Sequence, residues 1–135
     1  MGWKLEVVMV PVADIDRAKY FYHEQIGFVV DHDTRISDEV RLVQLTPPGS
    51  VCSIVVSKGM VVDMQPGSLK GLQPVVADVD AVHAQLVGRG AAVSLVSHYE
   101  GATLEEGRGG DWNSFMFFDD PDGNSWTVQE WPKRD

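Results

Sequence analysis

A chain of 135 residues suits one domain, and at this length roughly two thirds of the unfolded surface is buried, so a real core needs no staples. The hydrophobic share of 44% and the charged share of 23% are those of a globular protein. The net charge of −9 argues against nucleic acid as a partner, because phosphate binding needs clustered Lys and Arg. Cys52 is the one cysteine, so no internal disulfide is expected, and no Cys/His spacing points to structural zinc. No charged-then-apolar leader opens the sequence, and no apolar run approaches the ~18 residues that span a bilayer. A cytoplasmic protein without membrane attachment is expected.

In chain order, the apolar run Val7–Val12 reads as a strand, followed at Asp14 by a helix N-cap and a helix over about Ile15–Gln25. Ala18, Phe21 and Tyr22 fall on one face of that helix, and Gly27 stands where a left-handed terminator is wanted. Strand-like runs follow at Phe28–Asp33, Val40–Thr46 and Val51–Ser57, the last two joined by the turn Pro47–Ser50. The pattern then starts again. Val76-Ala77-Asp78-Val79-Asp80 repeats Val12-Ala13-Asp14-Ile15-Asp16, 64 residues later. A strand at Leu72–Val76 precedes it, and a helix over Val79–Gly88 follows, with Val82 and Leu86 on its apolar face. Strands are expected at Ala92–Ser97, Trp112–Asp119 and Ser125–Glu130, with the turn Pro121–Asn124 before the last. The Gly-rich, acidic stretch Ser97–Gly110 reads as a mobile loop that module one lacks. The expected fold class is α+β. Two tandem βαβββ modules, about 1–60 and 68–135, form a cupped mixed sheet with helices outside, in a single domain.

This layout resembles the vicinal oxygen chelate superfamily, the glyoxalase/bleomycin-resistance/dioxygenase fold. The likeness rests on the segment from Val10-Pro11-Val12-Ala13-Asp14 to Tyr20-Phe21-Tyr22, on Gly27-Phe28, and on Asp120-Pro121-Asp122-Gly123-Asn124. The stretch Arg41–Ser50 is similar to a subgroup described only as glyoxalase-like. The fold hosts lyases, isomerases, dioxygenases, thiol transferases and drug-binding proteins, so the resemblance alone names no activity. It implies one metal held by the first and last strands of each module. The matching positions here are Val7, Ser53, Gly71 and Thr127, which include no His, Glu, Asp or Cys. Two lack any donor and two are neutral hydroxyls, so no metal and no cofactor is expected.

Strand alternation gives a different kind of lining. Val7, Met9, Gln44, Ser53, Gln73, Trp112, Ser114, Met116, Thr127 and Gln129 are expected to face a neutral cavity of amides, hydroxyls and apolar walls. Gln44, Gln73 and Gln129 are expected to converge there, with Trp112 on the wall and the Ser97–Gly110 loop at the mouth. Catalytic residues are not legible. His98, Glu105, Glu106 and Asp111 are acid–base candidates only if that loop closes, whereas Asp119, Asp120 and Asp122 read as structural parts of a turn. The leading function is a metal-independent small-molecule binding protein, dimeric as small relatives of this fold are. The competing readings are a metal-dependent glyoxalase-type lyase or dioxygenase with ligands elsewhere, and a metal-free isomerase or hydrolase.

Overall fold

The computed structural model describes residues 2–60 and 63–132. The chain forms two compact units. The first runs to Leu69 and also takes in the turn Asp120–Asn124; the second comprises Lys70–Asp119 and the chain from Ser125 onward.

In the first unit β1 (Val7–Met9) leads to α1 (Ile15–Tyr20), then β2 (Val29–Arg35), β3 (Arg41–Thr46) and β4 (Ser53–Lys58). The sheet order is β1-β4-β3-β2, with β1 parallel to β4 and the other pairs antiparallel. Asp14 caps α1 by accepting from the Arg17 N–H at 3.1 Å. The expected helix does reach Gln25, but Phe21–Gln25 widen into a π turn. Its apolar face is buried as the spacing requires: Ala18, Phe21 and Tyr22 are at most 6% exposed. Val43, Leu45, Ile54 and Val56 form the buried face of the sheet. Arg41 and Asp33 share that face and reach Asp16 and Lys19 of α1 at 2.7 and 2.6 Å, which marks it as the helix side. Each such apolar side chain contributes about 1.5–3 kcal/mol on burial.

The turn Asp120–Asn124 is knitted into this unit by polar side chains. Asp120 Oδ2 accepts from the Tyr22 hydroxyl and from Asn124 Nδ2, both at 2.7 Å, while its Oδ1 accepts from the N–H groups of Asp122 and Asn124. Asn124 also donates to the Pro11 carbonyl and accepts from the Leu69 N–H. Asp122 accepts from the Ala13 N–H and from Arg17. Gly67 lies against this turn at φ +80°, and an added Cβ would stand 1.9 Å from the Asp122 carbonyl oxygen, so only glycine fits.

The second unit holds β5 (Lys70–Leu72), β6 (Val75–Val76), α2 (Val79–Gly88), β7 (Ser97–Glu100), β8 (Thr103–Glu106), β9 (Phe115–Asp119) and β10 (Ser125–Glu130). Its sheet runs β5-β10-β9-β7-β8, with β6 also parallel to β10. Pro74, which has no N–H to give, separates β5 from β6. Asp78 caps α2 through the Ala81 N–H at 3.0 Å. Val79, Leu86, Met116, Phe118, Trp126 and Val128 make the core, with the Phe118 and Trp126 rings stacked at 5.6 Å.

Two expectations are corrected here. The segment 92–96 forms no strand, and the expected mobile loop is largely a hairpin, paired from Ser97↔Glu106 to Glu100↔Thr103. Gly101 takes φ +62° at the first position of its two-residue turn, which suits a hairpin, and Tyr99 and Thr103 are good strand formers. Among the described residues no helix is long and apolar enough to cross a membrane.

Candidate functional site

The helix-free face of each sheet carries most of the residues the sequence singles out. In the first unit Val7 pairs with Ser53, and Met9 with Val55, which lies opposite Gln44. Val7, Met9, Gln44 and Ser53 therefore share one face. The register adds two residues that the sequence reading passed over: Thr46, and His32 opposite Gln44. The Thr46 hydroxyl donates to Asp31, so the 2.7 Å contact between Thr46 Oγ1 and Ser53 Oγ is a bond that Ser53 donates.

In the second unit the register across the turn pairs Thr127 with Phe117 and Gln129 with Phe115. Glu130, on the opposite face, accepts from the Val79 N–H of α2 at 2.9 Å, so Thr127 and Gln129 look away from the helix. The Gln73 side chain donates to Gln129 Oε1 at 2.9 Å, and Gln129 Nε2 donates to the Trp112 carbonyl at 2.8 Å. Gln73, Gln129 and Trp112 are thus one hydrogen-bonded group, with Thr127 beside it.

Ser114 and Met116 lie on the other side. Met116 pairs with Val128 and is fully buried in the helix-side core, while buried Ser114 accepts from the Gly109 N–H. The expectation fails because it counts alternation from Trp112, which is not extended: its φ is +62°. The aromatic residues on the Thr127–Gln129 face are Phe115 and Phe117. The turn at 120–124 fixes that register, so its ladder was the signal that could have found them.

The same registers test the metal positions. Val7 and Ser53 are level with each other, but Leu72 lies beside Trp126, so Thr127 is level with Gln73 and not with Gly71. Either set offers two neutral hydroxyls, a valine, and a glycine or an amide. These residues do not fit a divalent metal, which takes imidazole, thiolate or carboxylate donors. Among the described residues no three His, Cys, Asp or Glu side chains gather where they would hold an ion.

The Glyoxalase/Bleomycin resistance protein/Dioxygenase superfamily profile matches residues 4–128. The chain belongs to this superfamily. It is 34% identical to TnmS3, an antibiotic binding protein from Streptomyces sp. CB03234, over 97% of both chains, with a TM-score of 0.75. A glyoxalase/bleomycin resistance protein from the same organism is also 34% identical, with a TM-score of 0.72 over 93% of this chain and 99% of that one. A superfamily member from Sphaerobacter thermophilus DSM 20745 shares the fold at 23% identity and a TM-score of 0.71, over 95% and 97% of the two chains. No curated protein matches.

The hairpin of this superfamily member carries a titrating tie. His98 places Nδ1 2.8 Å from the Gly107 carbonyl and Nε2 2.9 Å from Glu100 Oε1. Both partners are acceptors, so only the imidazolium satisfies both. The Gly107 carbonyl, then the Glu100 carboxylate and the charge of Glu105, hold its pKa above the ordinary 6.5. A raised folded pKa means that the tie is fully present below pH 6.5 and is lost as pH rises through the folded value. The His98 ring resonance should titrate above 6.5, one of its two bonds being given up as the ring loses its second N–H. Titration at or below that value would contradict the two-acceptor assignment. Glu105 and Glu106 stand on the exposed strand β8, and Asp111 follows the hairpin.

Proposed function

We propose that this chain is a metal-independent small-molecule binding protein of the drug-sequestering kind, recognising a neutral planar or mixed-polarity ligand. The observation that carries the reading is the donor set at the superfamily's metal positions: Val7, a Ser53 hydroxyl engaged with Thr46, and Thr127 beside Phe117. On the same faces lie Met9 and Gln44 in the first unit, and Phe115 and Gln129 in the second. A few directional groups among apolar and aromatic walls orient a small ligand without chemistry being done to it. The likeness to TnmS3 supports an antibiotic-type ligand.

Titration of polycyclic aromatic and heterocyclic compounds, followed by tryptophan fluorescence, should find a binder. Replacing Gln44 with Leu should weaken it by roughly tenfold, about 1.4 kcal/mol for a lost hydrogen bond, without changing the melting temperature. Phe117→Ala tests the face of the second unit in the same way and should weaken a binder seated there by a similar factor, because a stacking surface is removed. Turnover of the bound compound, or unchanged affinity in both variants, would contradict the proposal. We also propose that the chain pairs as a homodimer, the commonest oligomer symmetry. Light scattering should give twice the chain mass, and a clean monomer at micromolar concentration would contradict this.

A further inference from the structure

A cavity of about 160 Å³ lies at the end of β10 in the second unit, lined by Arg108, Asp111, Trp112, Glu130 and Trp131 among others. It is about half of the ~300 Å³ at which pockets for drug-sized molecules begin, so it suits a small head group. Its walls include two large indoles that packing leaves half-exposed, Trp112 at 49% and Trp131 at 44%.

Both are anchored through their backbones. Trp131 donates its N–H to the Val76 carbonyl at 3.1 Å. Trp112 takes a left-handed φ of +62°, which is rare for a bulky residue, and its carbonyl is held by the Gln129 amide, itself held by Gln73. A backbone fixed in this way keeps Trp112 in the cavity lining, where packing leaves it half-exposed.

The charge around the cavity is negative. The Arg108 guanidinium is bonded to Asp80 and to the buried carboxylate of Glu130, so its charge is answered. Asp111 is an additional carboxylate in the lining. Indole faces attract cations, and a carboxylate beside them strengthens that attraction.

We propose that this cavity binds the head of a small organic cation, a quaternary or methylated ammonium, with Trp112 and Trp131 as walls and Asp111 as counter-charge. The cavity adjoins the Gln129 face of the neutral-ligand reading through Trp112, but the two tests are distinguishable: a neutral binder sensitive to Gln44→Leu stands or falls without choline binding.

The test is a titration of the full chain with choline and with its uncharged isostere 3,3-dimethylbutan-1-ol. The readout is the indole N–H resonances, assigned through single Trp→Phe variants. Choline should shift the Trp112 and Trp131 signals saturably, with the isostere binding at least about fivefold more weakly. Asp111→Asn should weaken choline by about threefold, and Trp131→Leu should abolish the shift at Trp112. Equal binding of the isostere, no saturable shift at millimolar choline, or an undiminished Trp112 response in Trp131→Leu would each overturn the proposal. The comparison of cation and isostere on the unaltered chain decides the matter even if Trp131→Leu does not fold.

Discussion

Replacing Asp120 with Ala should destabilise the protein by about 3–5 kcal/mol, the largest effect expected of any polar substitution in it. Asp120 is 4% exposed and its carboxylate answers two side-chain donors, Tyr22 and Asn124, and two backbone N–H groups. Its removal takes an acceptor away from the buried Tyr22 hydroxyl and from the Asn124 amide. Each buried group left unsatisfied costs about 1–3 kcal/mol, and hydrogen bonds to a charged acceptor are the stronger kind. Tyr22→Phe removes only one donor and leaves the carboxylate its other partners, so it should cost about 1.5–3 kcal/mol. Chemical denaturation of both variants checks the ordering. A loss below 1 kcal/mol for Asp120→Ala would mean that water replaces the lost acceptor at no cost, and the network would not be what holds the turn to the first unit.

The second large effect is expected at Arg108. Its guanidinium bonds Asp80 at 2.7 Å and grips both oxygens of Glu130, which is 6% exposed and also accepts the Val79 N–H at the start of α2. These carboxylates hold the Arg108 pKa above that of an ordinary arginine, with Glu130 the main cause. Arg108→Met keeps the stem but takes both guanidinium bonds away from a buried carboxylate. The cost should be about 2–3 kcal/mol, below the ~3–5 kcal/mol of a fully buried pair because the Arg108 side chain is 36% exposed and water screens it. Adding Glu130→Gln to Arg108→Met should restore part of the loss, since the buried negative charge that Arg108 answered is gone. Additive effects in that double-mutant cycle would show that the pair is not coupled.

How far the sequence reaches is clear from particular residues. The repeat at Asp14 and Asp78 marked two helix starts, and both side chains cap as their chemistry demands. The helix face at Ala18, Phe21 and Tyr22 was legible because 3.6-residue periodicity survives in the tertiary structure. The helix-free face of the first unit was legible as one face, since Val7, Met9, Gln44 and Ser53 sit in strands of regular alternation. Alternation failed where the backbone leaves the strand. Trp112 at φ +62° throws the count, and Ser114 and Met116 go to the helix side. The hairpin at 97–106 was hidden by its glycine and its acids, which suit an edge strand and its turn as well as they suit a loop. Long-range polar pairs such as Tyr22 with Asp120 and Arg108 with Glu130 carry no local signature, because they join residues 98 and 22 positions apart.

The claim most in need of a direct measurement is that binding needs no metal. The protein should be stripped with a strong chelator, its metal content checked by mass spectrometry, and a planar binder titrated calorimetrically before and after zinc, nickel, iron or manganese is restored. Unchanged affinity in the metal-free protein, with Gln44→Leu still weakening it by roughly tenfold, is the predicted result. Binding that disappears with the metal and returns on adding one equivalent of it would contradict the account.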